Sequence, residues 1–278
     1  MIGAIIGDII GNQYDMADFK SKDFPLFYVG SRPSDDTFMT VAVAKALFLC
    51  RNNLSDLNTL EQTVISSMKE IGNNHKNTLW GEYFYKWLFE NGKKKDSCGN
   101  GAAMRISPVG WIAENEEQLK TLSHVITCVS HAHPEGIKGA ESVALAVYLA
   151  REGFDKQYIK QRMLEYYPAL SDMTLESIRP NYHVDDLGLF VTCQGSVPQS
   201  LTAFFESTDF EDCIRNAVSI GGDSDTVGAI SCSIAEAYYG VNYEMEQKAL
   251  SYLSEDLLSV YHAFSMIKKP RKNKKSAV

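Results

Sequence analysis

Proline is scarce in this chain, with eight in 278 residues. That density permits long uninterrupted helices, because a proline removes a helical N–H and clashes with the preceding turn. The six cysteines, Cys50, Cys98, Cys128, Cys193, Cys213 and Cys232, form no CxxC pair. Thiols this scattered read as reduced residues rather than as a disulfide framework or a zinc site. The apolar start, Met1 to Gly7, lacks a basic flank and is cut short by Asp8, which excludes a signal peptide and a membrane span. The expected compartment is therefore the cytoplasm, with no membrane partner. Positive charge is also in deficit. A formal net charge of -8 excludes broad, unspecific nucleic-acid affinity, which needs a basic surface. The one basic cluster, Lys268 to Lys275, reads as a solvated tail over 268–278, with a nucleic-acid or membrane-surface anchor as the alternative.

What the chain does contain is ordinary for a globular protein, with 45% hydrophobic and 22% charged residues. No internal repeat or Gly/Ser/Pro-rich linker divides it, so residues 1–267 read as one domain, with a monomer as the default state. Helical periodicity appears over 37–50, over 77–91 (Trp80, Tyr83, Phe84, Trp87, Leu88), over 136–151 and over 227–239. Gly153 and Gly240 follow two of these as C-terminal stops. Strand alternation is weak throughout, and the fold class expected is all-α. Gly3, Gly7 and Gly11 share one face of the first helix. Glycine within a helix costs up to about 1 kcal/mol against alanine, so this spacing predicts a close helix–helix approach.

Two acidic blocks carry the most chemistry. Ser34-Asp35-Asp36-Thr37 and Gly221-Gly222-Asp223-Ser224-Asp225-Thr226 each precede an apolar, alanine-containing helix. N-capping and the helix dipole account for one or two such residues per helix. They do not call for two aspartates and a hydroxyl twice over. If the two starts converge, four carboxylates share a small volume. Two charges about 4 Å apart repel by about 4 kcal/mol at an effective dielectric near 20, so the group would need cations or raised pKa values. Oxygen-only ligands suit Mg²⁺ or Mn²⁺, and two such blocks suit a pair of ions.

Three further motifs are open to more than one reading. Ser97 to Arg105 contains Gly99-Asn100-Gly101, either a plain turn or a nest of N–H groups for a phosphate. Arg105 fits a phosphate partner or an internal salt bridge. His131 and His133 precede a helix, either as metal ligands or as a capped turn with one satisfied imidazole. Cys193 to Pro198 reads as another turn, and Asp185-Asp186 as a solvated loop pair.

Together these blocks resemble the ADP-ribosylglycohydrolase family. In chain order they are GAIIGDIIGNQYD, SDDTFMT, SCGNGAAMRISPVGW, SHAHPEGIKGA, CQGSVPQSL and RNAVSIGGDSDTVGAISCSIAEAYYG. The resemblance implies a compact orthogonal helical bundle with a two-metal centre, magnesium or manganese, in an ADP-ribose cleft. It implies metal ligation by Ser34, Asp35, Asp36, Asp223, Asp225 and Thr226, and ligand contacts from Gly99, Asn100, Gly101, His131 and Gly222. It also implies hydrolysis at C1″ of the distal ribose, with Asp15, Asp36 and Asp225 as the catalytic carboxylates. ADP-ribose would be released from an ADP-ribosylated protein or other acceptor. A hydrolase of a free ADP-ribose compound and a silent ADP-ribose-binding protein are the alternatives. Two departures stand out. The family's usual Thr is Ser34 here, which keeps a hydroxyl, and its frequent Glu is Asp15. Being one methylene shorter, Asp15 is expected to need a bridging water to act at the metals.

Overall fold

A computed structural model describes residues 1–90, 92, 96–184 and 188–274. Fifteen α-helices and three short 3₁₀ turns make up its regular structure, with no strand among the described residues. The first half contains α1 (Ile2–Gly11), α2 (Asp35–Leu49), α3 (Leu57–Asn74), α4 (Glu82–Phe89), α5 (Gly101–Met104), α6 (Ser107–Ile112) and α7 (Glu116–Cys128). The second half contains α8 (Pro134–Arg151), α9 (Lys156–Leu164), α10 (Leu175–Ile178), α11 (Cys193–Phe205) and α12 (Phe210–Val218). It ends with α13 (Ser224–Tyr239), α14 (Tyr243–Leu250) and α15 (Glu255–Ser265). No helix among the described residues is long and apolar enough to cross a membrane.

Two helices form the interior. α1 is buried along its whole length, and α13 from Ser224 to Ala237. A helix without a solvated face belongs in a core. They run antiparallel and nearly touch. A Cβ added to Gly3 would lie 2.1 Å from the Cys232 carbonyl oxygen, one on Gly7 2.2 Å from that of Gly228, and one on Gly11 2.3 Å from that of Ser224. The glycine face predicted for α1 is thus the face that meets α13. α2 packs on the same pair, with eleven of its fifteen residues buried.

Several sequence expectations shift. The aromatic helix expected over 77–91 is only Glu82–Phe89, with Gly81 as its N-cap; Trp80 packs on Phe38, Phe84 and Phe89 from outside the helix. Cys193 to Pro198 is not a turn but the start of α11. The Thr192 side chain caps it by accepting from the Gly195 N–H, and Pro198 lies inside the helix. Asp185-Asp186 falls outside the described residues. Residues 270–274 are exposed, as a solvated tail would be, but side chains of this segment also contact the domain. Arg271 donates to the carbonyls of Ala237 and Tyr238, two of the free acceptors at the C-terminal end of α13. Lys268 pairs with buried Glu236 and lies 3.6 Å over the Trp111 ring. The chain therefore gives its basic end uncapped carbonyls and a buried carboxylate to satisfy.

Gly7→Ala tests the close approach. An exposed helix would gain up to about 1 kcal/mol from that change. Here the methyl enters the Gly228 backbone, and the expected result is a loss of about 3 kcal/mol or more, read by urea denaturation. A variant as stable as the parent would show that the helices can separate freely.

Candidate active site

Because α1 and α13 are antiparallel, the C-terminal end of α1 lies at the N-terminal end of α13. α2 begins at the same place. Asp8 on α1 accepts from the Ser34 N–H (2.9 Å), the Thr37 N–H (3.0 Å) and the Ser34 hydroxyl (2.7 Å). One buried carboxylate thus caps α2 from another helix. Ser34 also accepts from the Asp36 N–H, which leaves one hydroxyl lone pair free. Two positive helix ends therefore meet above one patch of carboxylates.

The two acidic blocks do converge. Thr226 Oγ1 donates to Asp36 Oδ2 at 3.2 Å, and the Thr226 N–H to Asp225 Oδ1 at 2.9 Å. Carboxylate oxygens of Asp15, Asp223 and Asp225 lie within 4.8 Å of one another. The shorter side chain of Asp15 thus lies beside Asp223 and Asp225. Asn12 Nδ2 supports Asp225 at 3.3 Å. Asn12, Asp15 and Asp225, with Ser34, Asp35 and His75, line a cleft of about 500 Å³. A larger hollow of about 820 Å³ includes Asp209, Arg215 and Tyr239 and none of these residues; chemistry, not size, selects the site.

The electrostatics are those of a surplus of negative charge. Burial, and then the Asp225 charge, push Asp8 and Asp15 up to about 7. The same two causes hold Asp35, Asp36 and Asp223 well above the usual carboxylate range. Asp15 Oδ1 and Asp36 Oδ1 are buried without a hydrogen-bond partner. Orphaned acceptors, oxygen-only donors and clustered like charges fit a hard divalent cation.

Around this centre some predicted contacts take another form. The Gly99 N–H donates to Ser97 Oγ and the Asn100 N–H to the Val191 carbonyl, so the loop does not offer three successive free amides. Asn100 instead turns its carboxamide to Asp223 Oδ2 at 2.6 Å and to Ser196 Oγ at 2.9 Å. Gly222 has left-handed backbone (φ 71°), donates to the Ala17 carbonyl and accepts from the Met16 N–H. Its amide is thus engaged within the protein, and the residue ties the Asp15 segment to Asp223 instead of facing a ligand. His131 is buried beneath Gly99 and Gly101. His133 is the N-cap of α8, its Nδ1 accepting from the Glu135 N–H, as in the capped-turn reading. Arg105 makes no salt bridge among the described residues; its Nη2 donates to Ser130 Oγ. The sequence reading missed Asp8 and Asn12. Asp8 had a signal, being a lone carboxylate inside an otherwise apolar helix, where charge is rarely buried without a partner.

A family model described as ADP-ribosylglycohydrolase matches residues 1–265. The chain is similar to ADP-ribosylhydrolase ARH3 of Xenopus tropicalis, 24% identical over 305 residues and covering 86% of each chain. It is also similar to ADP-ribosylarginine hydrolase Tri1 of Pseudomonas putida, 23% identical over 269 residues, with 87% of this chain and 70% of that one covered. An uncharacterized protein of Archaeoglobus fulgidus is 28% identical over 182 residues, 62% of this chain and 56% of the archaeal protein's length. A solved chain from an ADP-ribosylglycohydrolase-related protein complex superposes with a TM-score of 0.64 at 22% identity, covering 96% of each chain, and shares the all-helical fold.

Raised folded-state values for Asp8 and Asp15 mean that the metal-free fold takes up protons. That contribution to stability is complete below the unfolded value near 4 and is lost as pH rises through about 7. A bound cation would replace those protons. The melting-temperature increment from saturating Mg²⁺ over EDTA is therefore expected to grow from pH 5 to pH 8. An increment that is flat across this range would count against the carboxylates as the binding groups.

Proposed function

The chain belongs to the ADP-ribosylglycohydrolase family, and from that premise we propose a hydrolase that frees ADP-ribose from an ADP-ribosylated target by cleaving the glycosidic bond at C1″ of the distal ribose. The observation that carries this reading is the meeting of the α2 and α13 starts with Asp15 in one cleft. Ser34, Asp35 and Asp36 on one side, and Asp223, Asp225 and Thr226 on the other, would hold two divalent cations, Mg²⁺ or Mn²⁺. Bound there, the ions would supply Lewis-acid charge at the ribose.

The protein's own groups do the rest. Asp15 or Asp36 orients the attacking water and takes its proton as the water oxygen bonds to C1″. The glycosidic bond breaks, the leaving atom of the acceptor recovers a proton, and ADP-ribose departs with an unmodified side chain. Asp225 lies at the centre of the charge that the others feel, so it favours positive charge developing at the ribose. Asn100 holds Asp223 in its rotamer. Gly101 and His131 meet the diphosphate. For the acceptor we favour arginine: the Pseudomonas relative carries that specificity in its name, and a cleft rich in carboxylates suits a guanidinium. The nearness of Asp15 to Asp223 and Asp225 supports a hydrolase over a silent binding protein. Six free cysteines fit a reducing compartment, and we place the reaction in the cytoplasm, in a monomer.

Purified protein should release ADP-ribose from ADP-ribosylated arginine in Mg²⁺ or Mn²⁺ and fall silent in EDTA, with ADP-ribosylated serine, ADP-ribosylated DNA and free ADP-ribose compounds as comparison substrates. Asp225→Asn is expected to lose about 100-fold or more in kcat. Its metal-free melting temperature should hold or rise, because one like charge is gone. Full activity in this variant would remove Asp225 from the mechanism. Turnover confined to free compounds would replace the protein-linked substrate.

A further inference from the structure

Arg105 is fully buried, and among the described residues no carboxylate accepts from it and its Nε and Nη1 have no partner. Nη2 donates to Ser130 Oγ at 2.8 Å and lies 3.4 Å from His131 Nδ1. Ser130 Oγ is itself 2.8 Å from His131 Nδ1. A count of protons fixes the arrangement. A guanidinium only donates, and a hydroxyl carries a single hydrogen. Arg105 Nη2 can only donate to His131 Nδ1, so that nitrogen accepts, and Ser130, accepting from Arg105, turns its own hydrogen to it. That nitrogen also faces the guanidinium N–H, and a nitrogen between two donors must hold its lone pair. In the neutral ring the remaining proton then sits on Nε2.

Two observations support the neutral ring. Burial, and then the Arg105 charge, hold the His131 pKa well below its ordinary value. A proton on Nδ1 would also set an imidazolium N–H against the guanidinium. The Nε2 edge lies against the glycine loop, since Cβ atoms added at Gly99 and Gly101 would sit 3.4 and 3.3 Å from it. Side chains at these two positions would crowd that edge of the imidazole.

We propose that Arg105 and Ser130 are positioning residues that lock His131 as the neutral Nε2–H tautomer, so that the loop at Gly99–Gly101 presents a fixed hydrogen-bond donor to a phosphate oxygen of ADP-ribose. The ligand half of this proposal rests on the function proposed above; the tautomer half stands on geometry alone. Arg105 excludes the imidazolium, Ser130 selects the nitrogen, and neither touches the ligand. The donor is therefore neutral and already oriented before the ligand arrives, which lowers the ordering cost of binding.

The test uses the full chain with ring-¹⁵N-labelled histidine and long-range ¹H–¹⁵N NMR correlations, His131 being assigned from the spectrum of His131→Gln. The expected pattern at neutral pH is an unprotonated Nδ1 and a protonated Nε2. A protonated Nδ1, alone or in an imidazolium, would overturn the proposal without involving any ligand. Calorimetric titration with ADP-ribose then compares the parent with Ser130→Ala and Ser130→Thr, melting curves confirming that each is folded. Ser130→Ala should bind about 10-fold more weakly or worse, raising KM more than it lowers kcat, and Ser130→Thr should restore binding. If Ser130→Ala binds as tightly as the parent, the positioning role falls. If the parent shows the Nε2–H ring but no ADP-ribose affinity, it is the function proposed for the cleft that fails, and the tautomer assignment stands.

Discussion

Main-chain contact between Gly7 and Gly228 fixes how far α1 lies from α13, and every distance in the site follows from it. With the helices antiparallel, the next residue, Asp8, lies under the start of α2, and one turn beyond the contact Gly11 meets Ser224 and Asp225. Side chains at these positions would hold the helices apart and carry the two acidic blocks with them. The glycines lower helix propensity locally, but the burial of two helices without a solvated face offsets that cost.

Negative charge in the site is held in place by main-chain geometry more than by counter-charges. The carboxylates lie at the N-terminal ends of α2 and α13, where free N–H groups and aligned peptide dipoles favour anions. Asp8 takes two such N–H groups. Asn12 and Asn100 donate to Asp225 and Asp223. Neutral donors fix the rotamers and leave the charge itself uncompensated, which is the condition under which a divalent cation binds strongly. Arg105, the buried cation nearest the glycine loop, points at Ser130 and His131 instead. Its charge acts on the ligand side and leaves the carboxylates unneutralised.

Much of this was legible in the sequence, for reasons that differ by residue. The all-helical fold followed from periodicity and scarce proline, and the face of α1 from its glycine spacing. The acidic blocks stood out because capping could not explain so many oxygens. Long-range pairings were not legible. Nothing local to Asn100 says that its carboxamide meets Asp223, 123 residues away. Asp8 looked like an interruption of an apolar run until α2 placed its N-terminus on it. The segment from Cys193 to Pro198 misled because Gly and Pro mark turns in isolation, whereas the Thr192 cap carries them into a helix. Charge density at the basic C-terminal end likewise says nothing of the carbonyls at the end of α13 that Arg271 meets.

The backbone bridge between Met16–Ala17 and Gly222 has a bearing on how this site can diversify. The segment carrying Asp15 is anchored to the loop before Asp223 by peptide groups, and no side chain is needed for that link. The path of the main chain at position 15 is thus set apart from the identity of the residue there. Exchanging aspartate for glutamate changes only how deeply a carboxylate enters the cleft, leaving the scaffold as it is. Position 15 is in that sense a length adjustment, which sets reach without refolding the centre.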